Sequence, residues 1–181
     1  MPSLLPRSMS RMFGKKDYRI VVVGLPNSGK TTALYRIKLG EVVKAQPTIG
    51  FNVESIHFNK CKLTLWDMGN LDSFESMRSQ CFKYSEGLVY FVDSSSQQCI
   101  EDVRGDLHDI LSLSNLKNIP VLIMCNKQDI PQALTSGELR EKLAIDQLKQ
   151  GNVRMQECSA VKGTGLTEGL EWLSSIVNRK D

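Results

Sequence analysis

The chain has 181 residues, 41% hydrophobic and 24% charged, which fits one globular domain and argues against a disordered or membrane-embedded chain. Its 23 Lys and Arg against 20 Asp and Glu leave a net charge of +3, too small an excess to indicate nucleic acid as a partner. Five cysteines (Cys61, Cys81, Cys99, Cys125, Cys158), odd in number and never in a C-x-x-C pair, argue against a disulfide framework or zinc site and for a reducing, cytoplasmic setting.

Residues 1–16 form a basic arm, with Arg7, Arg11, Lys15 and Lys16 and no acid. On a helical wheel Leu5, Met9, Met12 and Phe13 share one side with Arg7 and Arg11 opposite, a segment suited to an anionic membrane or to a groove on the body. Two prolines and three serines within the first ten residues read equally well as a disordered basic tail. No apolar run reaches the ~20 residues of a membrane span, and the first residues lack a secretory apolar core. Pro2 and the closing Arg179-Lys180-Asp181 carry neither a myristoylation nor a prenylation signal. Any membrane contact is therefore expected to be peripheral and to need a membrane-resident partner.

Residues 17–181 read as one domain of alternating strands and helices. Ile20–Val23, Leu88–Val92 and Pro120–Cys125 are continuous apolar runs, as strands buried on both faces should be. Between them lie helical stripes: Val103, Leu107, Ile110 and Leu111, then Leu166, Leu170, Leu173 and Val177. Phe51–Phe58 and Lys62–Trp66 are separated by too few residues for a crossover helix, so one antiparallel hairpin is expected in an otherwise parallel sheet. With Val153–Glu157 this predicts an α/β fold with six strands, one of them antiparallel, and helices on both faces. Ligands of such folds bind at the carboxyl ends of the strands.

The motifs fall there. Gly24-Leu25-Pro26-Asn27-Ser28-Gly29-Lys30-Thr31 fits G-x-x-x-x-G-K-[ST] directly after the Ile20–Val23 strand, and Thr32 extends it. The glycines let backbone N–H groups turn inward around phosphate, and the following helix adds its positive end. Lys30 is expected to reach the phosphates and Thr31 to ligand Mg²⁺. Asp67, closing the next apolar run, is a second metal candidate, although a strand-ending Asp is more often a turn residue. Asn126-Lys127-Gln128-Asp129 follows the Pro120–Cys125 strand. A carboxylate at Asp129 can accept from both N1–H and the 2-amino group of guanine, whereas adenine offers it neither donor. Asn126 can brace the loop, the Lys127 stem can cover the base, and Cys158-Ser159-Ala160 supplies a further backbone N–H for the guanine O6. A kinase of small substrates fits poorly, because no arginine cluster follows Asp67. His57 and His108 are isolated and read as surface or strand residues.

Taken in order, Gly24–Thr32, Pro47-Thr48-Ile49-Gly50-Phe51-Asn52-Val53-Glu54, Trp66-Asp67-Met68-Gly69, Asn126–Asp129 and the closing Gly165–Leu173 run resemble the ADP-ribosylation factor (Arf and Arf-like) family of small GTPases, P-loop proteins of the small G-protein fold. The resemblance covers the chain from about Gly14. It implies that GTP and GDP are the ligands, that Thr48 completes the Mg²⁺ shell with Thr31 and Asp67, and that Gly69 offers its N–H to the γ-phosphate. It further implies that an exchange factor, a GTPase-activating protein and effectors are partners. Phe51 and Trp66 would then lie on an effector-reading hairpin that slips register on GTP binding, the alternative being ordinary core packing. Peripheral placement on Golgi or endosomal membranes follows from the same likeness.

The chain departs from the family pattern at the second switch. Where W-D-x-G-G-Q is usual it reads Trp66-Asp67-Met68-Gly69-Asn70-Leu71. Leu71 stands at the place of the water-positioning Gln and can neither donate nor accept a hydrogen bond, so no catalytic side chain is assigned. Slow hydrolysis is the expectation, with a GTP-gated scaffold of negligible turnover as the alternative. Pro26 and Asn27 alter the loop interior, which works through its backbone. Cys81 replaces an aromatic usual beside Phe51 and Trp66.

Overall fold

The structure is a computed structural model that describes residues 17–40, 51–58, 61–68 and 82–179. In chain order these hold β1 (Asp17–Val23), α1 (Lys30–Leu39), β2 (Phe51–Phe58), β3 (Cys61–Met68), β4 (Gly87–Asp93), α2 (Ile100–Ser112), β5 (Val121–Asn126), α3 (Ser136–Lys142), β6 (Val153–Glu157) and α4 (Leu166–Asn178). Three single 3₁₀ turns lie between them. The arm at 1–16, the hairpin tip Asn59-Lys60, and Thr48, Gly69, Asn70, Leu71 and Cys81 lie outside the described residues.

The six strands form one sheet in the order β2-β3-β1-β4-β5-β6. All neighbours are parallel except β2 and β3, whose antiparallel register sets Phe58 opposite Cys61 and Val53 opposite Trp66. This is the expected six-stranded arrangement. The apolar runs explain it: strands covered on both faces must be apolar at successive positions, and every residue of β5 is buried.

Side-chain alternation divides the core in two. Val21, Val23, Leu88, Tyr90 and Val92 face α2 and α3, against Val103, Leu107, Ile110 and Leu139. Ile20, Val22, Val89, Phe91, Leu122 and Met124 face α1 and α4, against Ala33, Leu34, Leu166, Leu170, Leu173 and Val177. Both helical stripes foreseen from spacing are thus the buried faces of α2 and α4. Among the described residues no helix is long and apolar enough to cross a membrane.

Two features lie outside the sequence pattern. The short helix α3 has no stripe of its own. It starts on a capping box, in which Thr135 Oγ1 accepts from Glu138 N at 3.3 Å and Glu138 Oε2 accepts from Thr135 N at 2.9 Å. His108 is neither a strand residue nor freely exposed. It lies half-buried in α2, with Nε2 2.8 Å from the Leu143 carbonyl oxygen, and so ties α2 to the end of α3.

Parallel strands carry their loops to one edge, so the segments after β1, β4, β5 and β6 all emerge at the carboxyl end of the sheet. Because Leu107 is fully buried between α2 and the sheet, Leu107→Ala is expected to lower stability by about 3 kcal/mol. Urea unfolding measures this, and a loss below about 1 kcal/mol would contradict the packing of α2.

Candidate functional site

The loop between β1 and α1 is built around two backbone positions only glycine fills well. Gly24 has φ +137° and a Cβ there would lie 2.3 Å from the Phe91 carbonyl oxygen; Gly29 has φ +93° and its Cβ would meet Asn126 Nδ2 at 2.1 Å. Between them Leu25-Pro26-Asn27-Ser28 makes a turn closed by Ser28 N donating to Leu25 O at 3.3 Å. Proline at its second position and Asn27, at φ +62°, in its third are the residues such a turn favours, which explains how this loop accommodates both.

Lys30 opens α1 and is buried. Its ammonium donates to Gly24 O at 2.8 Å and Leu25 O at 3.1 Å, so the cation is folded into the loop instead of reaching into solvent. Thr31 and Thr32 follow in the first turn. That turn holds no acidic residue of its own and no side-chain cap, so the helix start keeps its positive end for a ligand.

Asn126, at the carboxyl end of β5, is 1% exposed. Its Nδ2 donates to Ser28 O at 2.8 Å, and its Oδ1 accepts from Ala160 N at 2.9 Å. One carboxamide therefore joins the phosphate loop, the loop after β5 and the loop after β6. Cys158 packs beside it, and Gln128 N donates to Cys158 O at 3.1 Å. Asp129 Oδ1 accepts from Ser159 Oγ at 2.5 Å, and that hydroxyl also accepts from Lys162 N at 3.0 Å. The Asp129 carboxylate is held in a fixed orientation as a result. Within the Cys158-Ser159-Ala160 triplet, expected to supply a backbone N–H to a base oxygen, the Ala160 N–H donates to Asn126.

Lys127 takes a left-handed backbone, φ +69°, and its ammonium donates to Asp93 Oδ2 at 2.6 Å. Asp93 Oδ1 accepts from Ser95 N at 3.0 Å and Ser95 Oγ at 2.6 Å. Burial pushes the Asp93 carboxyl up, but the Lys127 ammonium and the two Ser95 donors outweigh it and hold the group below the usual carboxylate range. Burial also pushes the Cys125 thiol up to about 12 and raises that of Cys158, so neither supplies a thiolate near neutral pH.

The structure thus brings Gly24–Thr32, Asn126–Asp129 and Ser159-Ala160 to one edge of the sheet. Asp67 lies near the carboxyl end of β3, in register with Val22 of β1 and Asn52 of β2. Thr48, Gly69 and Leu71 fall outside the described residues. Asp93 and Ser95 were not anticipated from sequence, although Asp93 ends an apolar strand just as Asp67 does. No sequence pattern singles out the Ser159 hydroxyl or Arg36, whose Nη2 donates to Lys162 O at 3.1 Å.

Residues 5–177 match the family described as Arf, the ADP-ribosylation factor family. The chain belongs to the ADP-ribosylation factor family. Its fold is also similar to the Arl6 (BBS3) small GTPase from Trypanosoma brucei, whose structure holds the nucleotide analogue GppNp. The TM-score is 0.82 at 26% identity, with 92% of this chain and 100% of that chain covered. As an ADP-ribosylation factor family member the protein has the small-GTPase fold and is a nucleotide-binding switch of the guanine class. Such proteins work with exchange factors, GTPase-activating proteins and effectors.

The residues present fit an anionic ligand. In this Arf-family loop a buried ammonium, an uncapped helix start and two Cβ-free positions converge, and Ser28 Oγ, 2% exposed at residue level, has no partner among the described residues.

Two outcomes follow for this Arf-family protein. Asn126→Ala leaves the Ser28 carbonyl and the Ala160 N–H without their partner and is expected to reduce stability by about 2–4 kcal/mol in urea unfolding. The folded-state Asp93 carboxyl lies below its unfolded value of about 3.9, so its stabilising contribution is complete above that pH and is lost as pH falls through the folded value. Stability should accordingly fall more steeply below about pH 4 in the unaltered chain than in Asp93→Asn.

Proposed function

We propose that this protein is a Mg²⁺-dependent guanine-nucleotide switch whose GTP-bound state is long-lived. The observation that carries the reading is the Asn126 clamp, which ties the phosphate loop to the loop bearing Asp129 while Ser159 fixes that carboxylate. Residues 17–181 are the nucleotide-binding domain. Gly24–Gly29 wrap the phosphates with their N–H groups, Pro26 excepted, and Lys30 neutralises phosphate charge. Asp129 accepts from the guanine N1–H and 2-amino group, with Asn126, Lys127, Ser159 and Ala160 shaping the pocket. Thr31, Thr48 and Asp67 would hold Mg²⁺, which would supply neutralisation of phosphate charge when bound. Gly69 senses the γ-phosphate through its N–H.

Leu71 gives the switch its timing. Without a hydrogen-bonding side chain the attacking water is not oriented, and loss of one such group slows a hydrolysis by about two to three orders of magnitude. The same residue favours the second reading, a GTP-gated scaffold that scarcely turns over. In the switch reading the β2–β3 hairpin, with Phe51 and Trp66, presents the GTP state to effectors in membrane traffic. The basic arm at 1–16 then gives peripheral contact with Golgi or endosomal membranes, the protein being otherwise cytoplasmic.

Mass spectrometry of nucleotide released from the purified protein is expected to give guanine nucleotides only, and calorimetry to give GTP binding without ATP binding. Equal capture of ATP, or of neither, would overturn the guanine assignment. Single-turnover hydrolysis is expected to be slow and to rise at least about tenfold in Leu71→Gln. A brisk rate in the unaltered chain would end the slow-turnover reading.

A further inference from the structure

The turn after β4 is bound to the base-side loop by both main chain and side chain. Asp93 and Asn126 are in register across β4 and β5. Ser94 N donates to Asn126 O at 3.0 Å, and Leu134 N donates to Ser94 O at 2.8 Å. Within that frame both oxygens of Asp93 are spoken for, Oδ1 by the two Ser95 donors and Oδ2 by the Lys127 ammonium. The carboxylate cannot turn without breaking the Ser95 contacts, so it is a fixed anchor.

Lys127 needs such an anchor. Its side chain has four rotatable bonds, and its backbone is held at φ +69°, a conformation non-glycine residues enter at a cost. The Lys127 and Asp93 side chains are 30% and 21% exposed, which shields the pair from much of the screening a surface ion pair meets. With the ammonium tied at one end and the backbone at the other, the aliphatic stem becomes a rigid bar next to Asn126 and Asp129.

We infer that Asp93 is a positioning residue for the base-side loop, setting the Lys127 side chain and thereby the lifetime of the bound guanine nucleotide. This rests on the guanine reading above and deepens it, assigning to the turn after β4 a role in nucleotide retention. Asp93 acts through Lys127 and touches no ligand.

The test is a double-mutant cycle on the full chain, reading release of a fluorescent (N-methylanthraniloyl) GDP into excess unlabelled GDP. Asp93→Asn is expected to speed release about tenfold, the scale of a partly buried charged hydrogen bond. Lys127→Met should speed it at least as much, and the double variant should be no faster than Lys127→Met alone. A general loosening of the Asp93–Ser95 turn would instead accelerate release equally in both backgrounds. An unchanged rate in Asp93→Asn, or effects that multiply in the double variant, overturns the inference. Should Asp93→Asn not fold, Ser95→Ala, which removes the hydroxyl donor to Oδ1 and keeps the backbone N–H, is expected to speed release about two- to threefold with Lys127 present and not at all with Lys127→Met. The unaltered rate in that variant is equally fatal. Asp146→Asn, which removes an exposed carboxylate paired with Arg140, should leave release unchanged. If the unaltered chain fails to hold labelled GDP against excess ATP, the guanine reading falls and this inference with it. If it holds the ligand but the cycle is flat, only this inference falls.

Discussion

The Asn126 carboxamide ties its own loop to two segments that are distant in sequence, and at 1% exposure it has no water to fall back on. A buried amide must find its hydrogen bonds within the protein. Asn126 finds them by giving one to Ser28 O and taking one from Ala160 N, across 98 and 34 residues respectively. The contact is so close that residue 29 has no space for a Cβ beside Nδ2. The motif glycine and the motif asparagine therefore constrain each other. The phosphate-binding and base-binding halves of the site form one mechanical unit as a consequence.

Around that contact the molecule divides its work by depth. The strands β1, β4 and β5 are dry on both faces, which makes them a stiff support for the loops at their carboxyl ends. Polar networks take over where the strands stop. Ser159 orients Asp129, Ser95 orients Asp93, and Asp93 in turn orients Lys127. In the first two cases a small hydroxyl holds an acid in place, and in the third the acid so held fixes an ammonium, the arrangement that binding geometry requires if recognition is not to be lost to side-chain motion. The sheet's other side is built differently. Among the described residues β2 is an edge strand whose ladder runs to β3 alone, so a change of register there disturbs a single ladder and leaves the support for the base loop intact.

Much of this was legible in the chain itself, because the determining physics is local. Continuous β-branched runs specify doubly covered strands, and spacings of three and four specify the faces of α2 and α4. The short Phe58–Cys61 connection forces an antiparallel pair. The phosphate loop reads from residue types alone, since a left-handed backbone at Gly24 and Gly29 is a property of glycine before it is a property of any fold. Asp129 likewise declares a hydrogen-bonding preference through its carboxylate, and Thr135 and Glu138 carry a cap signature that periodicity alone passes over.

What sequence could not supply was partnership between residues far apart. Nothing in the identity of Asp93 pairs it with Lys127, 34 positions later, until parallel pairing of β4 and β5 sets their ends side by side. Nor does anything in Ser159 foretell that its hydroxyl is given to Asp129, or in Ala160 that its N–H is already taken by Asn126. His108 acquired its place only when α2 was laid against the end of α3. Residue chemistry and short-range spacing determined which ligand class the chain is built for and which elements carry it. The packing of the sheet alone decided which side chains hold which others still, because hydrogen bonds and ion pairs act over ångströms of space and have no regard for distance along the chain.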